Sequence, residues 1–273
     1  MTYRYRPERL DSRVYRDFAL RSLSRLRALP DHEMSALFHA LQDIETWPQG
    51  QELIAEGAPV YPPRLVLEGW AVRQRKLGDG RRQIFGFLLP GDVFGLCGRP
   101  DNVAMCSVVT ATPLISCPLP FLAGAIHGEP GALKDFAWHM IVQEEAGLRD
   151  QVVRLGRQSA HERLIHLLLE FYVRLKAVGM VHGQGFQLPL SQEVLADALG
   201  ISVVHTNRIL QQLKREQLIE TGGAQMVLRD PARMARLVEY RPSALWLSQA
   251  EAQASLKVPS CSSTATVTSN PSA

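Results

Sequence analysis

The stretch Leu190–Leu213, LSQEVLADALGISVVHTNRILQQL, constrains this chain more than any other. It reads as two short helices joined by a tight turn. Pro189 fixes the approach, and Ser191 is placed to accept from the unpaired N–H groups of the first helix. Val194, Leu195, Ala198 and Leu199 recur at helical spacing, and Gly200 suits the left-handed position that stops a helix. Ile201 fills the corner and Ser202 caps a second helix. On that helix Thr206, Ile209, Leu210 and Leu213 share one face, and Val204, Asn207, Arg208, Gln211 and Arg215 share another. A helix with an apolar back and a row of amide and guanidinium groups in front fits a DNA major groove. There Arg forks onto guanine and Asn onto adenine. An ordinary helical hairpin with a solvated face has the same pattern, so the flanking sequence decides.

After the helix pair, Glu216–Glu220 runs into Thr221-Gly222-Gly223-Ala224 and then Gln225–Leu228. Two short apolar runs about a Gly-Gly turn predict a β-hairpin. Asp230-Pro231 then opens a closing helix, with Pro at its first position. Helix, turn, helix and hairpin in this order predict a winged helix, with double-stranded DNA as its partner.

The bulk numbers neither add to this reading nor oppose it. A chain of 273 residues is long enough for two domains with their own cores. A composition 46% hydrophobic and 21% charged is that of a soluble globular protein. The net charge of +3 is too mild to imply nucleic acid by itself. Arg4, Arg6, Arg9, Arg13 and Arg16 make the N-terminus locally basic, as a solvated arm. No apolar run approaches the roughly 18 residues of a membrane span, and no signal-peptide core is present. Four cysteines without a CxxC pair suit a reducing compartment. The expected location is cytoplasmic, with no membrane partner.

Upstream, Leu23, Leu26, Leu37 and Leu41 give a helical pattern broken at Pro30-Asp31. From Trp47 the punctuation changes: Pro48-Gln49-Gly50, Glu56-Gly57-Ala58-Pro59, Gly78-Asp79-Gly80 and Pro90-Gly91-Asp92 are turns at short intervals. Between them lie β-type runs over Leu65 to Arg75, Gln83 to Leu88, Val103 to Thr110 and Leu114 to Cys117. Short strands with Gly/Pro turns predict an antiparallel roll. Beyond Glu129-Pro130-Gly131, residues Leu133, Phe136, Ala137, Met140, Ile141, Leu148, Val152 and Leu155 form a long helical stripe. Such a helix outlasts the roll, and pairing with a second copy of itself would bury the rest. The competing reading lays the stripe on its own roll, and Glu144-Glu145 on the seam keeps it open; the dimer is the preferred reading. Gly156 to Ala160 is a candidate hinge, and Leu164, Ile165, Leu168, Leu169 and Tyr172 begin the second core.

The expected fold is α+β, with an N-terminal antiparallel, jelly-roll-like β-roll, a long dimerisation helix and a C-terminal winged helix-turn-helix. The expected divisions are a basic arm (1–19), the roll (20–131), the dimerisation helix (132–156), the winged unit (157–240) and a disordered Ala/Ser-rich tail (241–273).

Roll, long helix and winged helix in this order resemble the Crp/Fnr superfamily of bacterial transcription regulators. The resemblance covers roughly residues 20 to 240. It is carried by FGFLLPGDVFGL (Phe85 to Leu96) and, more specifically, by LADALGISVVHTNRILQQLKREQLI (Leu195 to Ile219). It implies a homodimer reading a near-palindromic operator, with Val203, Val204, Asn207 and Arg208 at the positions that face the bases. Val204 stands where many members carry Glu, and a Val there suits a thymine methyl. Ser191, Gln192, Ser202, His205 and Gln211 complete the expected DNA-contact set, and RNA polymerase is a further implied partner. In the sensor half the expected effector pocket is Gly91, Phe94, Gly95, Leu96, Met105 and Cys106. Cyclic-nucleotide binders of the family follow Phe-Gly with Glu and later offer Arg-Ser or Arg-Thr to the phosphate. Here Leu96 follows Gly95, and the later position reads Ala104-Met105-Cys106-Ser107. A buried phosphate without that Arg would keep an unpaired charge. Cyclic AMP is therefore not an expected ligand, and the effector, small molecule or redox, stays open. The iron–sulfur branch carries an N-terminal cysteine cluster, whereas the first cysteine here is Cys97.

No catalytic residue, metal site or cofactor is expected. His161 and His166 in HERLIH are five apart, roughly 140° around a helix, not the four that HExxH requires. A cupin-like metalloenzyme lacks its ligands, because no His lies between His39 and His127. Two rivals remain to the effector-driven regulator. One is a ligand-independent regulator whose roll is a scaffold; the other is a thiol or metal-dependent sensor or enzyme built on Cys97, Cys106 and Cys117.

Overall fold

The structure, a computed structural model, describes residues 18, 19, 35, 39, 41–60, 62–97 and 101–243. The expected helices between Leu20 and Leu41 lie almost wholly outside the described residues, as do most of the arm and the tail beyond Ser243.

Among the described residues, eight strands build the roll: β1 (Glu45–Trp47), β2 (Glu52–Ile54), β3 (Arg64–Glu68), β4 (Ala71–Lys76), β5 (Arg82–Leu88), β6 (Val93–Phe94), β7 (Ser107–Thr110) and β8 (Leu114–Pro118). They pair antiparallel in two sheets, ordered β1-β8-β3-β6 and β2-β7-β4-β5. The β3 sequence is apolar without alternation because both of its faces are covered. Val66 packs between the sheets with Leu88, Phe94, Val108 and Leu114. Leu65 and Leu67 point the other way, onto Ile115, Cys117, Leu122 and Phe136.

One expected strand is in fact two. The run Leu65 to Arg75 breaks at Gly69-Trp70, where the chain passes from one sheet to the other. Gly69 has φ of +82°, and a Cβ there would lie 2.1 Å from the Pro113 carbonyl oxygen, so only glycine fits. The β4–β5 connection at Gly78-Asp79-Gly80 is the expected hairpin, with Gly80 left-handed and Leu77 N–H donating to Arg81 O at 2.7 Å.

Helix α1 (Ala132–Arg157) is 26 residues long, roughly 39 Å. Asp135 in its first turn and Arg154 and Arg157 in its last suit the helix dipole. Gly156 lies inside it, and the break falls at Gln158-Ser159. The stripe read from the sequence proves to be mainly the inward face. Phe136 and Ala137 are buried, Leu133 and Met140 pack on the roll, and Ile141 and Leu155 are half-buried. Leu148 and Val152 of that stripe are exposed, and with them Trp138, Val142 and Val153, which the stripe did not include. Trp138, Val142, Glu145, Arg149 and Val152 follow a four–three–four–three spacing, with Glu145 and Arg149 ion-paired at 2.6 Å.

Helix α2 (Ala160–Ala177) starts in a reciprocal cap: Glu162 N–H donates to Ser159 Oγ and Ser159 N–H donates to Glu162 Oε2. Its buried face (Leu164, Ile165, Leu167, Leu168, Leu169, Phe171) does not make a separate second core. It joins Trp70, Val72, Ile84, Phe87 and Leu89 of the roll in one cluster. Phe171 meets the edges of Trp70 and Phe87 with both ring centroids 4.9 Å away. Fully burying each such side chain contributes about 1.5–3 kcal/mol.

Charged side chains cross the same boundary. Arg154 of α1 holds Glu170 of α2 at 2.5 Å, and Arg174 holds Glu170 at 2.8 Å and Asp92 of the roll at 2.5 Å. Arg174 also donates to Phe87 O, and Gln151 donates to Ile84 O on one side and Ala198 O on the other.

The chain then forms β9 (Gly185–Gln187), α3 (Gln192–Leu199), α4 (Val203–Arg215), β10 (Ile219–Gly222), β11 (Gln225–Leu228) and α5 (Pro231–Leu237). The hairpin turn is Gly223-Ala224, between the paired Gly222 and Gln225. Strand β9, absent from the sequence reading, adds a third strand beside β11. Among the described residues, no helix is long and apolar enough to cross a membrane.

Candidate nucleic-acid interface

The geometry of the α3–α4 pair follows from its caps. Ser191 Oγ accepts from Val194 N–H at 3.2 Å, and Ser202 Oγ accepts from His205 N–H at 3.2 Å. Between them Gly200 adopts φ of +66° and closes α3. Loss of either cap costs about 1 kcal/mol. Thr206, Ile209 and Leu213 form the buried back of α4, with the Thr206 hydroxyl donating to Ser202 O at 3.1 Å, so no hidden polar atom is stranded.

The opposite face is open. Val204, with 70% of its surface accessible, lies in line with the exposed Arg208, Gln211 and Arg215. Ser191, Gln192, Ser202 and Val203 are exposed beside it, and His205 and Asn207 are half-buried at its edges. None of the nine expected contact positions is buried. Among the described residues Arg208 makes no ion pair, so its guanidinium is available to a ligand.

The sensor-side positions divide. Gly95, Leu96, Met105 and Cys106 line a cavity of about 340 Å³ between the roll and α1. Phe94 does not reach it: as part of β6 it is buried between the sheets. Gly91 is a left-handed turn residue whose N–H donates to Val66 O. Neither belongs to the pocket, because the strand alternation and the turn direct them elsewhere. The sequence reading missed the charges of the pocket. Arg73 enters it from β4 and is held by Glu144 at 2.9 Å, and Glu145 lies alongside. The Arg73 position was hidden by the reading of one long strand, and the carboxylates by the face assigned to α1.

Two of the thiols are quiet. Burial pushes Cys117 up to about 12 and raises Cys106 as well, so both are protonated at neutral pH and poor nucleophiles. Cys97, Cys106 and Cys117 are all free, and among the described residues no three His, Cys, Asp or Glu side chains gather as a metal site. His161 pairs with Glu216 at 2.9 Å, while the His166 ring faces Gln158 Oε1 at 3.1 Å.

A capped helix pair with an open polar face, closed by a three-stranded wing, is a winged helix-turn-helix; behind a β-roll and a long helix it defines a DNA-binding transcription regulator. Comparison with known proteins agrees. Residues 162–237 match the Crp-like helix-turn-helix domain. The chain is 34% identical over 174 residues to the nitrogen fixation regulation protein FixK of Bradyrhizobium diazoefficiens, covering 63% of this chain and 72% of that one. It is 30% identical over 218 residues to the transcriptional activator protein FnrL of Cereibacter sphaeroides, covering 77% and 84%. The structure of FixK2 from Bradyrhizobium japonicum superposes with a TM-score of 0.64 at 27% identity, over 73% of this chain and 98% of that one. The chain belongs to the Crp/Fnr family and is a sequence-specific DNA-binding transcription regulator.

Proposed function

We propose that the protein works as a homodimer on a near-palindromic operator, with the two α4 helices in successive major grooves about one helical turn apart. The exposed apolar line on α1 carries this reading. Trp138, Val142 and Val152 repeat at coiled-coil spacing on a helix face that the described residues leave exposed, and a second copy supplies the matching face. Arg208, Asn207, Gln211, Val203 and Val204 then meet base edges, and Ser191, Gln192, Ser202 and His205 meet phosphates. Activation through contact with RNA polymerase fits the relative named as a transcriptional activator. Sedimentation is expected to give a dimer at micromolar concentration, and Trp138→Lys/Val152→Lys a folded monomer. A wild-type monomer would refute the twofold arrangement.

The roll supports a second reading, in which it acts as a scaffold without a small-molecule effector. The core shared by the roll and α2 favours it, because a ligand would have to break buried contacts to move the reading unit. The charges of the pocket point the same way for anions. Among the described residues the guanidinium that lines it, that of Arg73, is engaged by Glu144, and Glu145 adds a further negative charge. Calorimetry with cyclic AMP is expected to show no saturable heat at millimolar ligand. A micromolar Kd would overturn this view of the pocket.

A further inference from the structure

The DNA-binding unit touches the roll away from its reading face, and these contacts have a common geometry. Arg82, at the start of β5, binds Asp197 of α3 through Nε at 2.6 Å, both side chains being about a quarter exposed. The neighbouring Gln83 amide donates to Asp197 O at 3.1 Å, and Gln151 donates to Ala198 O at 2.7 Å. These contacts grip the last turn of α3, directly before the Gly200 corner that launches α4. Below them Asp92, Arg174, Glu170 and Arg154 form a chain of alternating charge from the roll through α2 to α1, half-buried at Asp92 and buried at the other three. Apolar contacts tolerate sliding. Paired charges with fixed partners do not, since displacement leaves a buried charge alone.

We propose that the Arg82–Asp197 clasp, backed by the Asp92–Arg174–Glu170–Arg154 chain, sets the angle at which the reading unit is held, making these positioning residues for operator binding. The inference rests on the twofold reading above, because only a paired site senses that angle. Helix α4 has 13 residues, roughly 20 Å. A turn of about 15° at its root therefore moves its far end by roughly 5 Å, more than the ~3.4 Å rise of one base pair. A single half-site tolerates such a turn, because one reading unit docks freely. Two half-sites at fixed spacing do not.

The test compares two duplexes carrying a site selected from random-sequence DNA, one with both half-sites and one with a single half-site, at equal salt. Arg82→Glu places two carboxylates face to face at a partly exposed position that the fold tolerates. The ratio of full-site to half-site affinity is expected to fall at least tenfold in Arg82→Glu and to recover in Arg82→Glu/Asp197→Arg. Half-site affinity is expected to stay within twofold for Arg82→Glu, which a general loss of structure would not allow. An unchanged ratio in Arg82→Glu, or no recovery in the swapped pair, overturns the clasp. A wild-type protein with no preference for the full site overturns the twofold reading, and the clasp with it.

Discussion

Arg208→Ala is expected to erase most of the protein's preference for its operator while leaving its weak grip on unrelated DNA almost unchanged. Arg208 is exposed on the open face of α4, without an ion-pair partner among the described residues, on a helix anchored by Thr206, Ile209 and Leu213. A bidentate Arg–guanine contact is worth about 1–3 kcal/mol of discrimination. Both subunits lose it together, so roughly 2–6 kcal/mol disappears from the specific complex, at least about 30-fold in affinity. Titration of the selected operator and of a scrambled duplex at one salt concentration measures the difference. Arg208→Lys should recover little, because an ammonium offers a point charge and not a planar fork. Equal loss on both duplexes would make Arg208 a phosphate contact instead.

Glu170→Ala should destabilise the fold by about 3–5 kcal/mol, the usual result of removing one member of a buried charge set. Its carboxylate receives Arg154 and Arg174 at once, and all three side chains are buried. Against a typical total of about 5–15 kcal/mol, that is a large fraction. Urea denaturation at neutral pH measures it, and a change below about 1 kcal/mol would mean that solvent reaches the chain of charges.

Each of two carboxyls contributes a pH dependence of its own sign. Burial alone would raise Glu170, but the two guanidiniums outweigh it and hold the carboxyl below its ordinary value. Its stabilisation is complete above that ordinary value and is lost as pH falls through the lowered one. Asp150 acts in the opposite sense. Burial, and then Glu170, raise it to about 6, so the folded state favours its protonated form and loses stability as pH climbs from the ordinary carboxylate value to about 6.

The reading surface was legible in the sequence because its determinants are local. Caps at Ser191 and Ser202, the Gly200 stop and the spacing of Thr206, Ile209 and Leu213 all lie within one short segment. What failed to show were partners far apart along the chain. Arg174 and Asp92 are 82 positions apart, and neither carries a mark that predicts the other. Strand β9 is three residues long and has no alternation to detect; its place is set by β11. The α1 stripe was legible only in part, for a different reason. The helix is apolar on two faces, and periodicity reports that a face exists without saying which neighbour covers it.

The core shared between roll and α2 also bears on how the protein is born. The roll leaves the ribosome first, with Trp70, Val72, Ile84 and Phe87 facing water until α2 has been synthesised. During that interval the nascent chain displays a sticky aromatic surface, and chaperone capture or clumping of incomplete chains competes with folding. A messenger truncated after α1 would make a fragment with that surface permanently bare, and overproduction of the isolated roll should fill inclusion bodies.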